Sequence, residues 1–176
     1  MIKKIILGGG CFWCTEAIFK RLRGVNEVIP GYTGGSSQNP TYKDICSGNT
    51  GHAEVIKIQY DSKLISLKII LDVFFQTHDP TTLNRQGNDI GSQYRSSLFT
   101  SDQSEKNLIK DRIIFFNKTL FVNKSIVTTI EPESVFYKAE SYHQDYYNQN
   151  QEVPYCSIVI SPKINKLLTN HSDLLK

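Results

Sequence analysis

The chain has 176 residues, with 20 Lys+Arg against 17 Asp+Glu and a formal net charge of +3. That length predicts a single catalytic domain over 1–176, with a core at about 3–165 and a tail at about 166–176. The mild, scattered positive excess excludes a dedicated nucleic-acid surface, and no apolar run approaches a membrane span.

Residues 3–7 (KKIIL) predict a short strand. Its apolar run, Ile5 to Leu7, is too short for the core of a signal peptide, so a cytoplasmic protein is expected. Three glycines then lead into GGGCFWCTEAIF, residues 8–19. Phe12, Trp13, Ala17, Ile18 and Leu22 return at helical spacing and predict a helix over 12–22, with Gly24 as its C-terminal cap. Residues 25–32 predict a strand in which Pro30 implies a sheet edge or an early end. Residues 34–51, rich in Gly, Ser, Asn and Pro, predict a long loop, a length that points to function.

HAEVIKIQY, residues 52–60, predicts a strong strand. Ser66 opens a helix to about His78, stopped by Asp79-Pro80. A second long loop, DPTTLNRQGNDIGS, precedes a strand predicted at 93–99. Thr100 with Gln103 predicts a capping box for a helix at about 102–117. A strand at 126–131, a short helix near 139–148 and a strand at 156–160 complete the pattern. The order strand, helix, strand, strand, helix, strand predicts an α+β fold. Its expected form is a two-layer ferredoxin-like (split βαβ) core with long functional loops and extra C-terminal elements.

The cysteines are Cys11, Cys14, Cys46 and Cys156. Without a signal peptide, reduced thiols are the default, and catalytic or metal roles come forward. Cys11 falls at a helix start, where free N–H groups and the helix dipole favour a thiolate, so a lowered pKa and a nucleophilic role are expected. Phe12 and Trp13 are adjacent in sequence and cannot both face the core, so one of them is free to wall a pocket. Cys14 completes a CxxC pair suited to thiol–disulfide exchange or, alternatively, to half of a zinc site.

Alternation along 52–60 puts Glu54 on the face of Ile56, Ile58 and Tyr60. Burial there would raise its pKa and keep it protonated as a proton donor; the alternative is a solvated glutamate at the end of an edge strand. Tyr42 in the first loop and Tyr94 after the second are uncharged donors suited to a polarised oxygen. Asp89 could take a substrate N–H or shape a turn. His52 and His143 are candidate bases with nothing in the sequence to bring them to Cys11.

The segments GCFWCTEAIF, GYTGG, NPTY, GHAEV, HDPTTLNRQGNDIGSQYRS and AESYHQDYY follow one another as in the peptide methionine sulfoxide reductase A family, which the chain resembles over about 5–165. The resemblance implies reduction of the S epimer of methionine sulfoxide, free or in proteins, as repair of oxidative damage. It implies Cys11 as nucleophile and Glu54 as acid, with Tyr42 and Tyr94 as donors to the sulfoxide oxygen. Phe12 and Trp13 would receive the methyl group, and Asp89 the substrate's amide side. A sulfenic acid would then condense with a second thiol, and thioredoxin would reduce the disulfide. No metal and no organic cofactor is implied, and a monomer is expected. Many members carry glycine in place of Cys14, so Cys156 or Cys14 is the expected resolving thiol, with Cys46 and a two-cysteine relay also open. The competing readings are a thioredoxin-type oxidoreductase working through Cys11 and Cys14, a zinc-binding module, and a Cys–His hydrolase.

Overall fold

A computed structural model describes residues Met1–Lys176. Strand β1 (Ile2–Gly8) enters the middle of a sheet, and helix α1 (Phe12–Phe19) returns the chain to β2 (Val25–Thr33). A one-and-a-half-turn helix, α2 (Tyr42–Cys46), interrupts the first long loop before β3 (Ala53–Asp61) and α3 (Leu67–Thr77). The second loop carries a small ribbon, β4 (Arg85–Gln86) and β5 (Asp89–Ile90), and leads to β6 (Ser97–Phe99) and α4 (Gln103–Thr119). Strands β7 (Thr129–Glu131) and β8 (Tyr137–Lys138) and helices α5 (Tyr146–Gln149) and α6 (Ser161–Asn170) complete an α+β chain.

The main sheet has the order β7-β6-β1-β3-β2-β8, and only β6–β7 is parallel. β3 therefore runs between β1 and β2, with Leu7 opposite Ile56 and Tyr32 opposite Glu54. Its period-2 alternation divides the two faces. Ile56, Ile58 and Tyr60 join the main core with α1, α3, α4 and α6, whereas Ala53 and Val55 meet Ile6 and Phe99 in a small cluster on the other face.

Several local expectations change. Pro30 does not end the sheet: it lies opposite Ile56, and its carbonyl accepts Ala139 N–H as β8 takes the neighbouring edge. The long first loop folds α2 because Thr41 and Asp44 cap each other, side chain to backbone in both directions. Thr100 is not the cap of α4. Asp102 accepts Glu105 N–H at 3.0 Å, while Thr100 donates to the Glu105 carboxylate at 2.6 Å. Residues Ser92–Tyr94 form a 3₁₀ turn rather than the start of a strand, following Gly91 at φ +146°. Near 139–148, the turn Ser141–His143 and α5 stand in place of one helix.

The predicted strand at 156–160 is helical. Cys156–Ile160 is a π-type stretch running into α6. Cys156, Ile160, Ile164 and Leu167 are buried at helical spacing, and Ile158, which strand alternation would bury, is exposed. Residues 166–176 are packed, not a free tail: Leu167 is fully buried, Leu175 bridges Leu22, and Lys176 N–H bonds Arg21 O at 3.0 Å. Leu167→Ala is expected to cost about 2–5 kcal/mol. Urea unfolding checks this, and a loss within about 0.5 kcal/mol would show that α6 adds nothing to the core.

Candidate active site

Cys11 is the residue immediately before α1, and Cys14 N–H bonds its carbonyl at 3.1 Å. Gly10 precedes it at φ +90°, and a Cβ there would stand 2.6 Å from the Gln86 side chain, so the second long loop closes over a position that only glycine fits. Cys11 and Cys14 line a cleft of about 340 Å³ with Asp89, Tyr155, Val159 and Lys163. Both thiols are buried.

Burial decides the electrostatics of Cys11. It raises the thiol's pKa well above the ordinary value, reinforced by Cys14 and the Glu54 carboxyl, and the backbone N–H of Trp13 offsets only part of this. The lowering expected from the helix start is therefore outweighed, because Cys11 is only 8 % exposed. The neighbouring Cys14 is instead held down to about 7, chiefly by the Cys11 thiol beside it and then, against burial, by Lys163 and the Tyr155 hydroxyl. The two sulfurs act as one coupled pair.

Glu54 lies on an interior strand, 1 % exposed, so it is not a solvated edge residue. Its carboxyl accepts Phe12 N–H at 3.2 Å, the amide next to Cys11. Burial nevertheless pushes its pKa up to about 8, and Asp89 and Cys14 add to that. That shift favours the neutral acid at pH 7, the direction expected of a buried Glu54. Tyr42 and Tyr94 are half-buried, and burial and then the Glu54 charge push both phenols upward, so both remain donors.

The two rings after Cys11 separate as their adjacency requires. Phe12 is fully buried, 5.7 Å from the Tyr32 ring and 5.0 Å from that of His143. Trp13 is half-buried and stacks on Tyr146 at 3.7 Å and 6°. Asp89 accepts the Tyr155 hydroxyl at 2.7 Å, and that hydroxyl lies 3.8 Å from the Cys14 sulfur.

The remaining candidates fall into two groups. Cys156 is fully buried, and burial and then the Cys14 charge push its thiol up. Cys46 is exposed at the end of α2, beside Tyr42. Neither histidine serves Cys11 as a base. His52 staples the first loop through Gly35 N–H at 3.0 Å and Ser37 O at 2.7 Å, and His143 accepts the Trp13 indole N–H at 3.0 Å.

Tyr155, Lys163 and Glu140 are the site residues that sequence reasoning missed, and His143 stands out in the sequence only as a candidate base. Tyr155 carries one usable signal, its place beside Cys156. Lys163 carries another, one helical step beyond the buried stripe of α6.

A sulfur pair at a helix start, with a neutral carboxyl on the adjoining amide and uncharged phenols around it, defines a thiol-dependent oxidoreductase that acts on a polarised oxygen. Residues 3–174 match the family model described as peptide methionine sulfoxide reductase. The chain is 50% identical over 170 residues to the peptide methionine sulfoxide reductase MsrA of Saccharolobus solfataricus, covering 97% of this chain and 95% of that one. It is similar to the crystal structure of Mxr1 from Saccharomyces cerevisiae in reduced form, with TM-score 0.78 and 39% identity over 88% of this chain and 89% of that one. It is also similar to Mxr1 in complex with Trx2, with TM-score 0.54 and 31% identity over 82% and 84%. The chain belongs to the peptide methionine sulfoxide reductase family and is an oxidoreductase that reduces methionine sulfoxide.

Proposed function

We propose that the chain, one catalytic domain over 1–176 acting as a cytoplasmic monomer, reduces the S epimer of methionine sulfoxide through Cys11. The observation that carries this assignment of roles is Glu54, a buried and neutral carboxyl bonded to the amide that follows the nucleophile. The strand order β6-β1-β3-β2, antiparallel throughout, supports the ferredoxin-like description of the core.

The Cys11 sulfur attacks the sulfoxide sulfur as Glu54 gives its proton to the oxygen, which Tyr42 and Tyr94 also hold. The S–S bond so formed then breaks as the protonated oxygen passes from the substrate sulfur to the Cys11 sulfur: the substrate S–O bond is lost, methionine leaves reduced by two electrons, and Cys11 is left oxidised by two as a sulfenic acid. Trp13, with Phe12 behind it, walls the space for the methyl group. Asp89 takes the substrate's amide side.

Cys14 resolves the sulfenic acid, with loss of water and formation of the Cys11–Cys14 disulfide. It lies beside the Cys11 thiol, and Lys163 and the Tyr155 hydroxyl, which remain in place once Cys11 is oxidised, favour its thiolate. Cys156, buried and near enough for the Cys14 charge to raise it, would take the disulfide over in a relay. Thioredoxin then reduces the product. The yeast relative solved with Trx2 supports that partner, and four unpaired cysteines suit a reducing compartment.

The test is reduction of S and R methionine sulfoxide peptides with dithiothreitol or thioredoxin, for wild type, Cys14→Ser and Cys156→Ser. Wild type is expected to reduce the S epimer alone. Cys14→Ser should keep activity with dithiothreitol, lose it at least roughly tenfold with thioredoxin, and accumulate a dimedone-reactive sulfenic acid. If Cys14→Ser turns over normally with thioredoxin, Cys14 is not the resolver. Reduction of the R epimer would overturn the assignment of roles.

A further inference from the structure

His143 is fully buried, and its ring is central to the aromatic residues around Cys11. Its centroid lies 5.0 Å from Phe12, 4.4 Å from Tyr42 and 4.2 Å from Tyr142. Trp13 donates its indole N–H to Nδ1 at 3.0 Å. An indole N–H can only donate, so Nδ1 carries no proton and the neutral ring holds it on Nε2.

That Nε2 is buried and makes no hydrogen bond. The nearest carboxylate, Glu140, stands 3.8 Å away, too far for a bond but placed to attract the N–H end of the ring. Glu140 is itself held by Tyr42 N–H at 2.7 Å and the Tyr32 hydroxyl at 2.8 Å. A buried donor left without a bond has a cost that a structure does not carry without a reason. Burial also lowers the His143 pKa against the pull of Glu140, which favours the neutral ring.

Stacking of Trp13 on Tyr146 fixes the plane of the indole but not which edge points where, since a flat ring turned over in its plane stacks equally well. The bond to Nδ1 distinguishes the two orientations. We propose that His143 is a positioning residue: its bare Nδ1 fixes the edge that Trp13 turns toward the substrate, and Glu140 fixes the tautomer while it anchors α2 and hence Tyr42. One turn, 140–143, thereby sets two residues of the site together. This inference rests on the reading of Trp13 as a wall of the substrate pocket.

The test uses the full reduced chain with dithiothreitol and a methionine S-sulfoxide peptide. His143→Phe is expected to raise KM roughly tenfold with kcat changed less than about threefold. His143→Asn, whose carboxamide oxygen can stand where Nδ1 stood, should restore KM to within about threefold of wild type. Trp13 is the only tryptophan in the chain, so its emission maximum should shift in His143→Phe and return in His143→Asn. The ¹⁵N spectrum of wild-type His143 should show Nε2 protonated and Nδ1 bare.

A folded His143→Phe with wild-type KM and emission overturns the proposal. So does His143→Asn behaving like His143→Phe, or a proton on Nδ1 in the wild type; that last readout stands even if His143→Phe does not fold. Trp13→Phe with unchanged KM sinks the pocket reading itself, while the emission and nitrogen spectra still decide the bond.

Discussion

Exchanging Cys11 for serine is expected to abolish reduction of methionine S-sulfoxide with either reductant, a loss of roughly four orders of magnitude or more. The hydroxyl fits the same buried space but lacks the nucleophilicity of sulfur, and at this position burial already opposes ionisation. The surroundings of Cys11 explain how a thiol whose pKa is raised can still react. Part of the upward push comes from the Glu54 charge, and that charge is absent while Glu54 is protonated, its state below about pH 8. Substrate oxygen then takes the proton as sulfur attacks, so the negative charge is not built up on an isolated thiolate. Single-turnover reduction of a sulfoxide peptide, followed by mass, checks the expectation. Turnover by Cys11→Ser above about one hundredth of wild type would remove Cys11 from the role of nucleophile.

Glu54→Gln is expected to lower kcat by about 10²–10⁴-fold and to remove the alkaline limb of the pH profile. The protonated carboxyl is the active form, so wild-type activity should fall as pH rises through about 8, the folded-state pKa. Glutamine cannot supply the proton and should show no such fall. The substitution should move stability in the opposite sense to activity. The folded pKa lies above the ordinary carboxyl value of 4.5, so between these values the native state holds a proton that the unfolded chain releases. Wild-type stability therefore decreases as pH rises from about 4.5 to 8 and is level above that. Glu54→Gln, free of this penalty, should be more stable than wild type at pH 8 by about 1–4 kcal/mol and nearly equal to it at pH 4. Urea unfolding at the two pH values, beside a pH–rate profile, reads both effects. An alkaline limb that persists in Glu54→Gln would assign the proton to another group.

The parts of this site that sequence revealed are those where a local period reports directly on burial. Alternation along β3 placed Glu54 with Ile56, Ile58 and Tyr60, and the interior position of β3 in the sheet decides for the buried carboxyl over the solvated edge residue. The adjacency of Phe12 and Trp13 required their rings to part, and they do. What sequence misread depends on contacts distant along the chain. The helix start argued for a lowered Cys11 pKa, but the loop that closes over Gly10 and the residues 155–163 that wall the cleft bury the sulfur, and burial outweighs the helix. CSIVI reads as a strand by composition, yet its buried positions continue at helical spacing into α6, and that longer period prevails. In the sequence His143 is only a candidate base with no link to Cys11; the three-dimensional arrangement turns its nitrogens toward Trp13 and Glu140 instead.

The bond from Tyr155 to Asp89 means that the cleft already contains its own occupant. A substrate that uses the Asp89 carboxylate does not enter a vacant place; it exchanges with a phenol tethered to the same chain. The apparent affinity is then the difference between two binding free energies, with the tethered group present at high effective concentration. Tyr155 is next to Cys156, so a change in the bonding of that sulfur would alter the competitor as well as the redox state. In the proposed relay, occupancy of the cleft and the oxidation state of Cys156 would be coupled through a single peptide unit.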